Sequence, residues 1–243
     1  MKRVGVIGAG RIAAPVIAFL QRDPHFALTG VLARRARSDL DYPYETQADD
    51  FFARDFDLIV EAAGPSALRA YGAAALRIAD VWSVSAGALV DNDFRRRLEA
   101  IGAESGHRLR LVSGSVSGLD GASAIAASAP AVELNLFATR PNLSETSGVA
   151  FAGSLRDAAR AYPNDVNFAV ATAIAAGGLD NAVIELKDSG IGGAHELGFQ
   201  ARDGFGEIES RVRFNPLSDG ALHPVAASLI AALRRETQTI WAG

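Results

Sequence analysis

Short runs of uninterrupted apolar residues alternate with stretches of helical periodicity over the first 115 positions. Residues 4–7 predict a buried strand, and Ile12, Val16, Phe19 and Leu20 recur on one face of the helix after it. Pro15 falls in the first turn of that helix, where a missing N–H is tolerated. Residues 28–33, 57–61, 81–85 and 109–112 predict further strands, with helices over 66–78 and 92–104 between them. Strands that are apolar along their whole length and separated by helices belong to a parallel sheet covered on both faces. The first half is therefore expected to be a doubly wound α/β domain spanning residues 1–115.

The pattern changes after Gly114. A small-residue stretch at 115–128 predicts a helix through 120–127, and residues 132–138 alternate as a strand with one wetter face. Helices are expected over 154–162 and 166–176, and strands over 182–187, 195–202 and 206–214. Strands gathered after a βα series predict a second, α+β domain over 116–223 with a mostly antiparallel sheet. Val225, Leu229 and Leu233 stripe a last helix over 224–241, which is expected to pack back on the first domain.

The 243 residues are 49% hydrophobic and 21% charged, enough for a substantial core. A net charge of -4 gives no reason to expect nucleic acid or an anionic membrane as a partner. Arg34, Arg35 and Arg37 form a local basic cluster, and Arg95, Arg96 and Arg97 form another that reads as a solvated helix face. The absence of cysteine excludes disulfides, a thiolate nucleophile and Cys-based zinc sites, and the four histidines lack zincin spacing, so no metal is expected. No apolar run reaches the roughly 18 residues of a membrane span, and a cytoplasmic protein is the expectation.

The most informative motif is Gly8-Ala9-Gly10-Arg11-Ile12-Ala13, a G-x-G-x-x-A that leaves a strand and opens a helix. Gly8 permits the tight turn, Gly10 lets backbone approach a pyrophosphate, and Ala13 allows close packing of helix on strand. The helix start, with its unpaired N–H groups and dipole, then favours the phosphates. This predicts a Rossmann-type dinucleotide domain, with Gly8, Gly10, Arg11 and Ile12 at the cofactor. An NAD site usually carries an acidic residue roughly 20 positions on, at the end of the second strand. Here that strand runs into Arg34 and Arg35, which either grip a 2′-phosphate or decorate a surface loop; NADP is favoured over NAD. The small-residue turns Glu61-Ala62-Ala63-Gly64-Pro65 and Ser85-Ala86-Gly87-Ala88 follow strands. They add Ala63, Gly64 and Ala86 as cofactor contacts or as plain capping turns.

These blocks resemble the L-aspartate dehydrogenase family, together with Ser113-Gly114-Ser115-Val116-Ser117-Gly118-Leu119-Asp120, Tyr162-Pro163-Asn164-Asp165-Val166-Asn167-Phe168-Ala169 and Ala194-His195-Glu196. The order and spacing match over nearly the whole chain. The resemblance implies oxidation of L-aspartate with NAD or NADP to iminosuccinate, which hydrolyses to oxaloacetate and ammonia or feeds NAD biosynthesis. It implies His195 as the catalytic histidine, Ser115 and Asn167 as cofactor contacts, and a homodimer formed through the second domain's sheet. The family's Ser-Gly-Ala-Ile-Gly run is Ser-Gly-Ser-Val-Ser here, an Asn two residues before the catalytic His is Gly193, and an Asn-Pro-Lys-Thr-Ser segment reads His223-Pro224-Val225-Ala226-Ala227.

Amine oxidation needs a group that takes the ammonium proton, and an imidazole with an ordinary pKa of about 6.5 serves near neutrality. Taken without the resemblance, a lone histidine such as His195 is more often a structural residue than a catalytic one. A dicarboxylic amino acid needs cationic anchors. Arg140, just after a strand, either grips a substrate carboxylate in two places or is solvated, and His223 either adds an anchor or opens the last helix. The rival readings are an NADP-dependent dehydrogenase or imine reductase for another small amino acid, and a non-catalytic NADP-binding sensor.

Overall fold

The computed structural model describes residues 1–35, 42–128, 132–204, 206–215, 218 and 220–241. The chain divides into two compact units, one of Met1–Gly114 with the segment from Leu222 onward, the other of Ser115–Ala221.

In the first unit, strands β1 (Lys2–Ile7), β2 (Phe26–Leu32), β3 (Tyr44–Glu45), β4 (Leu58–Glu61), β5 (Asp80–Ser83) and β6 (Leu109–Leu111) pair in the order β3-β2-β1-β4-β5-β6. Every pairing is parallel, and the order reverses beside β1, as in doubly wound dinucleotide domains. The connecting helices are α1 (Ala13–Arg22), α2 (Ala48–Phe52), α3 (Pro65–Ile78) and α4 (Asn92–Ser105), with a short 3₁₀ turn at Ala86–Val90. Asp91 caps α4 by accepting from the amides of Asp93 and Phe94, and Gly106 ends it in the left-handed conformation. Within β1, Gly5 leaves room for Phe56 and Phe51, whose rings would lie within 3 Å of a Cβ there.

Helix α8 (Pro224–Arg235) packs on α1. Its Ala226, Leu229, Ala232 and Leu233 join Val16, Ile17 and Leu20 in one buried cluster. Each buried Leu there contributes roughly 1.5–3 kcal/mol relative to an exposed one. The helix stops at Arg235, earlier than the expected 241. The Glu236-Thr237-Gln238-Thr239 run offers no apolar face, the last turn tightens through Glu236 N–H to the Leu233 carbonyl, and Ile240 and Trp241 remain exposed.

The second unit holds α5 (Leu119–Ser128), β7 (Glu133–Arg140), β8 (Gly148–Ser154), α6 (Leu155–Ala161), α7 (Asn167–Ala175), β9 (Ala182–Asp188), β10 (His195–Arg202) and β11 (Glu207–Phe214). Its sheet runs β11-β10-β7-β9-β8, antiparallel except where β7 meets β9. Helices α5 and α7 lie against one face, over Leu134, Leu136, Ala138, Ile184, Leu186, Leu197 and Phe199. Strand β8 has no counterpart among the expected strands. It reads Gly-Val-Ala-Phe-Ala-Gly-Ser, carries a bulge between Val149 and Phe151 that breaks the alternation, and pairs on one side only.

Candidate active site

The glycine turn of the first unit has the geometry its residue types dictate. Gly8 sits at φ 114°, and a Cβ there would stand 3.1 Å from the Ala62 carbonyl oxygen and 3.1 Å from the Ala63 methyl. Only glycine fits that position without strain. At Gly10 a Cβ would meet no protein atom within 4 Å, so packing within the protein does not explain the glycine and the space above it is open. Helix α1 begins there without a side-chain cap, Ile12 occupying the cap position and Arg11 standing exposed beside it. Its first-turn amides therefore present the positive end of the helix to that space. A dinucleotide pyrophosphate fits this turn: it needs close backbone approach and uncompensated N–H groups.

Strand β2 ends at Leu32, and Arg34 and Arg35 follow it, both exposed. Arg37 lies outside the described residues. Glu45, in register with Leu32 on the neighbouring strand β3, has its carboxylate paired with Arg54. The turn after β4 places Ala63 at the surface and Gly64 at φ 113°, capping α3. Ala86 is buried in the 3₁₀ turn, so its side chain offers little surface to any ligand.

Beneath these turns lies a residue the sequence pattern did not single out. Glu61 closes β4 and is buried, with 1% of its surface exposed. Its Oε1 accepts from the amides of Ala63 at 2.8 Å and Gly64 at 2.9 Å, and its Oε2 accepts from the Ser83 hydroxyl at 2.5 Å. Burial pushes this carboxyl above the usual range, while hydrogen bonds from Ser83, Ser85 and the two amides pull it back. The signal for it was a single acid ending an otherwise apolar strand before two small residues.

In the second unit the strand period of two assembles a polar row at one end of the sheet. Arg140 continues the buried series Leu134, Leu136 and Ala138 on β7, Asp188 continues Ala182, Ile184 and Leu186 on β9, and His195 precedes Leu197, Phe199 and Ala201 on β10. Register pairs His195 with Phe214 and Arg140 with Asp188, while Glu196 opposite Thr139 brings His195 alongside Arg140. The rings of His195 and Phe214 lie 4.9 Å apart. Burial lowers the pKa of His195 below its ordinary value, and the charge of Arg140 lowers it further. Both effects disfavour the charged ring and favour the neutral form that can accept a proton.

Arg140 also pairs with Asp165 at 2.6 Å, just ahead of α7, whose first residue is Asn167. Asp188, held below the usual carboxylate range by the amides of Ser144 and Gly190, accepts at 2.8 Å and 2.6 Å from them and from Leu143 N–H as well. It thereby anchors both loops that flank the row. Gly193 lies in a turn so tight that a Cβ would fall 2.1 Å from the Ser189 carbonyl oxygen, so no side chain can stand there. Ser115 is half-buried at the start of the unit, and the Ser117 hydroxyl is engaged at 2.9 Å by that of Ser210 on β11. His223 belongs to the first unit, where its Nδ1 accepts from Val225 N–H and caps α8. The sequence left Asp188 and Phe214 unmarked and gave Asp165 no role of its own, because each becomes part of the site only through register or a loop contact.

Comparison with known proteins agrees with both halves. Residues 8–112 match the family model described as homoserine dehydrogenase, NAD binding domain, and residues 123–236 match aspartate dehydrogenase, C-terminal. The chain is 35% identical to an L-aspartate dehydrogenase of Ruegeria pomeroyi, covering 98% of this chain and 94% of that one. It is 31% identical to that of Archaeoglobus fulgidus over 93% of each. The crystal structure of aspartate dehydrogenase from Thermotoga maritima superposes with a TM-score of 0.81 over the full length of both chains, at 20% identity. No described helix is long and apolar enough to cross a membrane. A Rossmann unit joined to a matching C-terminal domain, with relatives this similar over nearly the whole chain, places the protein in the L-aspartate dehydrogenase family of amino-acid dehydrogenases.

Proposed function

We propose that the protein oxidises L-aspartate to iminosuccinate with NADP or NAD, NADP preferred, and also runs the reverse reductive amination. The observation that carries this reading is the adjacency of an imidazole, His195, and a guanidinium, Arg140, on neighbouring strands, the guanidinium disfavouring protonation of the ring. The cofactor, when bound, accepts hydride from Cα of the substrate. Gly8, Gly10, Arg11, Ile12, Ala63 and Gly64 of the first unit would hold it, and the family resemblance assigns Ser115 and Asn167 to cofactor contact as well. Arg34 and Arg35, in a strand end without an acid, bind a 2′-phosphate and give the preference for NADP.

His195 takes the proton from the substrate ammonium, leaving the nitrogen lone pair to form the C=N bond as hydride departs. Water then converts the imine to oxaloacetate and ammonia. In the reverse direction the protonated ring donates to the imine nitrogen. Arg140 grips a substrate carboxylate with guanidinium donors that Asp165 leaves over. His223 is a second anchor in this reading.

A homodimer through the open face of the second sheet belongs to the same proposal. Val149 and Val183 are exposed on that face, 59% and 48%. A monomer mass by light scattering would refute it.

The test is a panel of amino and keto acids assayed with NAD and NADP in parallel, monitoring the reduced nicotinamide. Aspartate, or oxaloacetate with ammonia, is expected to turn over best. His195→Ala should lower kcat roughly 10²–10⁴-fold with cofactor affinity retained. Wild-type rates in that variant end the mechanism.

A further inference from the structure

We propose that Glu61 is a positioning residue for the nicotinamide half of the cofactor, acting by locking the turns after β4 and β5 to one another. The inference rests on the assignment of the first unit to a nicotinamide dinucleotide. In a sheet of this order the end of β2 addresses the adenosine ribose, so the β4–β6 half takes the other mononucleotide. Glu61 is the buried charge of that half. One carboxylate oxygen holds the Ala63 and Gly64 amides, and the other holds the Ser83 hydroxyl, which itself accepts from Ser85 N–H at 3.0 Å.

A carboxylate in apolar surroundings is expensive unless its hydrogen bonds are complete, so its retention here calls for a role beyond packing. Its partners supply one. Ala63 and Gly64 lie in the turn after β4, while Ser83, in register with Glu61, is the last residue of β5 and passes the link to the Ser85 amide in the turn that follows. Ala63 in turn faces the Gly8 turn, and Val84 N–H bonds to the Glu61 carbonyl at 3.4 Å. A single side chain thus couples the two loops that would carry the nicotinamide mononucleotide, so that less ordering would remain for binding to supply. Ligand binding to a preformed surface avoids the entropy of fixing it.

Glu61→Gln is the critical variant. If the amide nitrogen faces Ala63 and Gly64, donor meets donor; if it faces Ser83, the buried hydroxyl proton loses its acceptor. Affinities for NADP⁺, NAD⁺ and their reduced forms, and for ADP and its 2′-phosphorylated counterpart as adenosine-side fragments, are measured by calorimetry. The expected result is a roughly tenfold or greater weakening for whole dinucleotides with fragment affinities within about twofold of wild type. Ser83→Ala, which unhooks only the β5 turn, should act in the same sense but less, and it decides the matter should Glu61→Gln not fold. Unchanged dinucleotide affinity, or equal weakening of fragments and dinucleotides, overturns the proposal. Failure of the wild-type protein to bind any dinucleotide overturns the cofactor assignment itself, a result distinct from either.

Discussion

His195 and Arg140 stand side by side across β10 and β7, on the face that buries Leu197 and Ala138 one step further along the strands. The guanidinium charge opposes protonation of the ring, adding to the effect of burial. A proton acceptor is therefore kept ready by the same residue that is proposed to hold the substrate carboxylate.

Removing that charge should move the ring in a definite direction. In Arg140→Gln the imidazolium is no longer repelled, so the pKa of His195 rises and the acidic limb of kcat/KM shifts to higher pH. NMR titration of the ring protons checks the shift directly. A limb that stays in place, or moves to lower pH, contradicts the coupling.

The two glycines of the first turn should separate stability from binding. Gly10→Ala adds a methyl where no protein atom lies within 4 Å, so the melting temperature should barely change while dinucleotide affinity falls at least about tenfold. Gly8→Ala forces a side chain into φ 114° against the Ala62 carbonyl and should destabilise the fold by more than about 1 kcal/mol. Thermal melts and fluorescence titration with the reduced cofactor distinguish the pair.

Cofactor preference should follow the arginines after β2. The double variant Arg34→Ala with Arg35→Ala is expected to lower kcat/KM for NADP by roughly ten- to hundredfold, the loss of one or two charge-assisted hydrogen bonds, with little change for NAD. Parallel losses with both cofactors would show that these side chains do not read the 2′-phosphate.

Acid sensitivity has a local source in Asp57, held at about 2 chiefly by its hydrogen bonds to the Arg3 side chain and amide. Because this folded-state value lies below that of the unfolded chain, the pair stabilises the fold above pH 4, and the contribution fades as pH falls toward 2. The side chains are 45% and 38% exposed, so solvent screening limits the effect to about 1 kcal/mol or less. Asp57→Asn should flatten this part of the pH–stability curve in urea titrations; a curve as steep as wild type counts against it.

Much of this architecture is legible from local pattern. The runs ending at Ile7, Leu32, Glu61 and Ser83 mark the inner parallel strands because burial on both faces leaves little polar alternation, whereas the edge strand β6 keeps an exposed Arg110. The glycine turn is equally plain, since Gly8 answers a backbone requirement. Strand β8 was hidden by its glycines and its bulge, and the end of α8 by the apolar Ile240 and Trp241 beyond it.

Period and turn chemistry along the chain thus determined the doubly wound unit, its glycine turn and the presence of a second, sheet-bearing unit, all of which depend on neighbours a few residues apart. Only the tertiary structure decided which side chains meet: His195 with Arg140 and Phe214, Asp188 with the two loops beside it, Glu61 with Ser83. Strand register and burial bring His195 to Arg140 across 55 positions of chain, His195 to Phe214 across 19 and Glu61 to Ser83 across 22, and a carboxylate or an imidazole acquires its protonation behaviour from that company rather than from its place in the sequence.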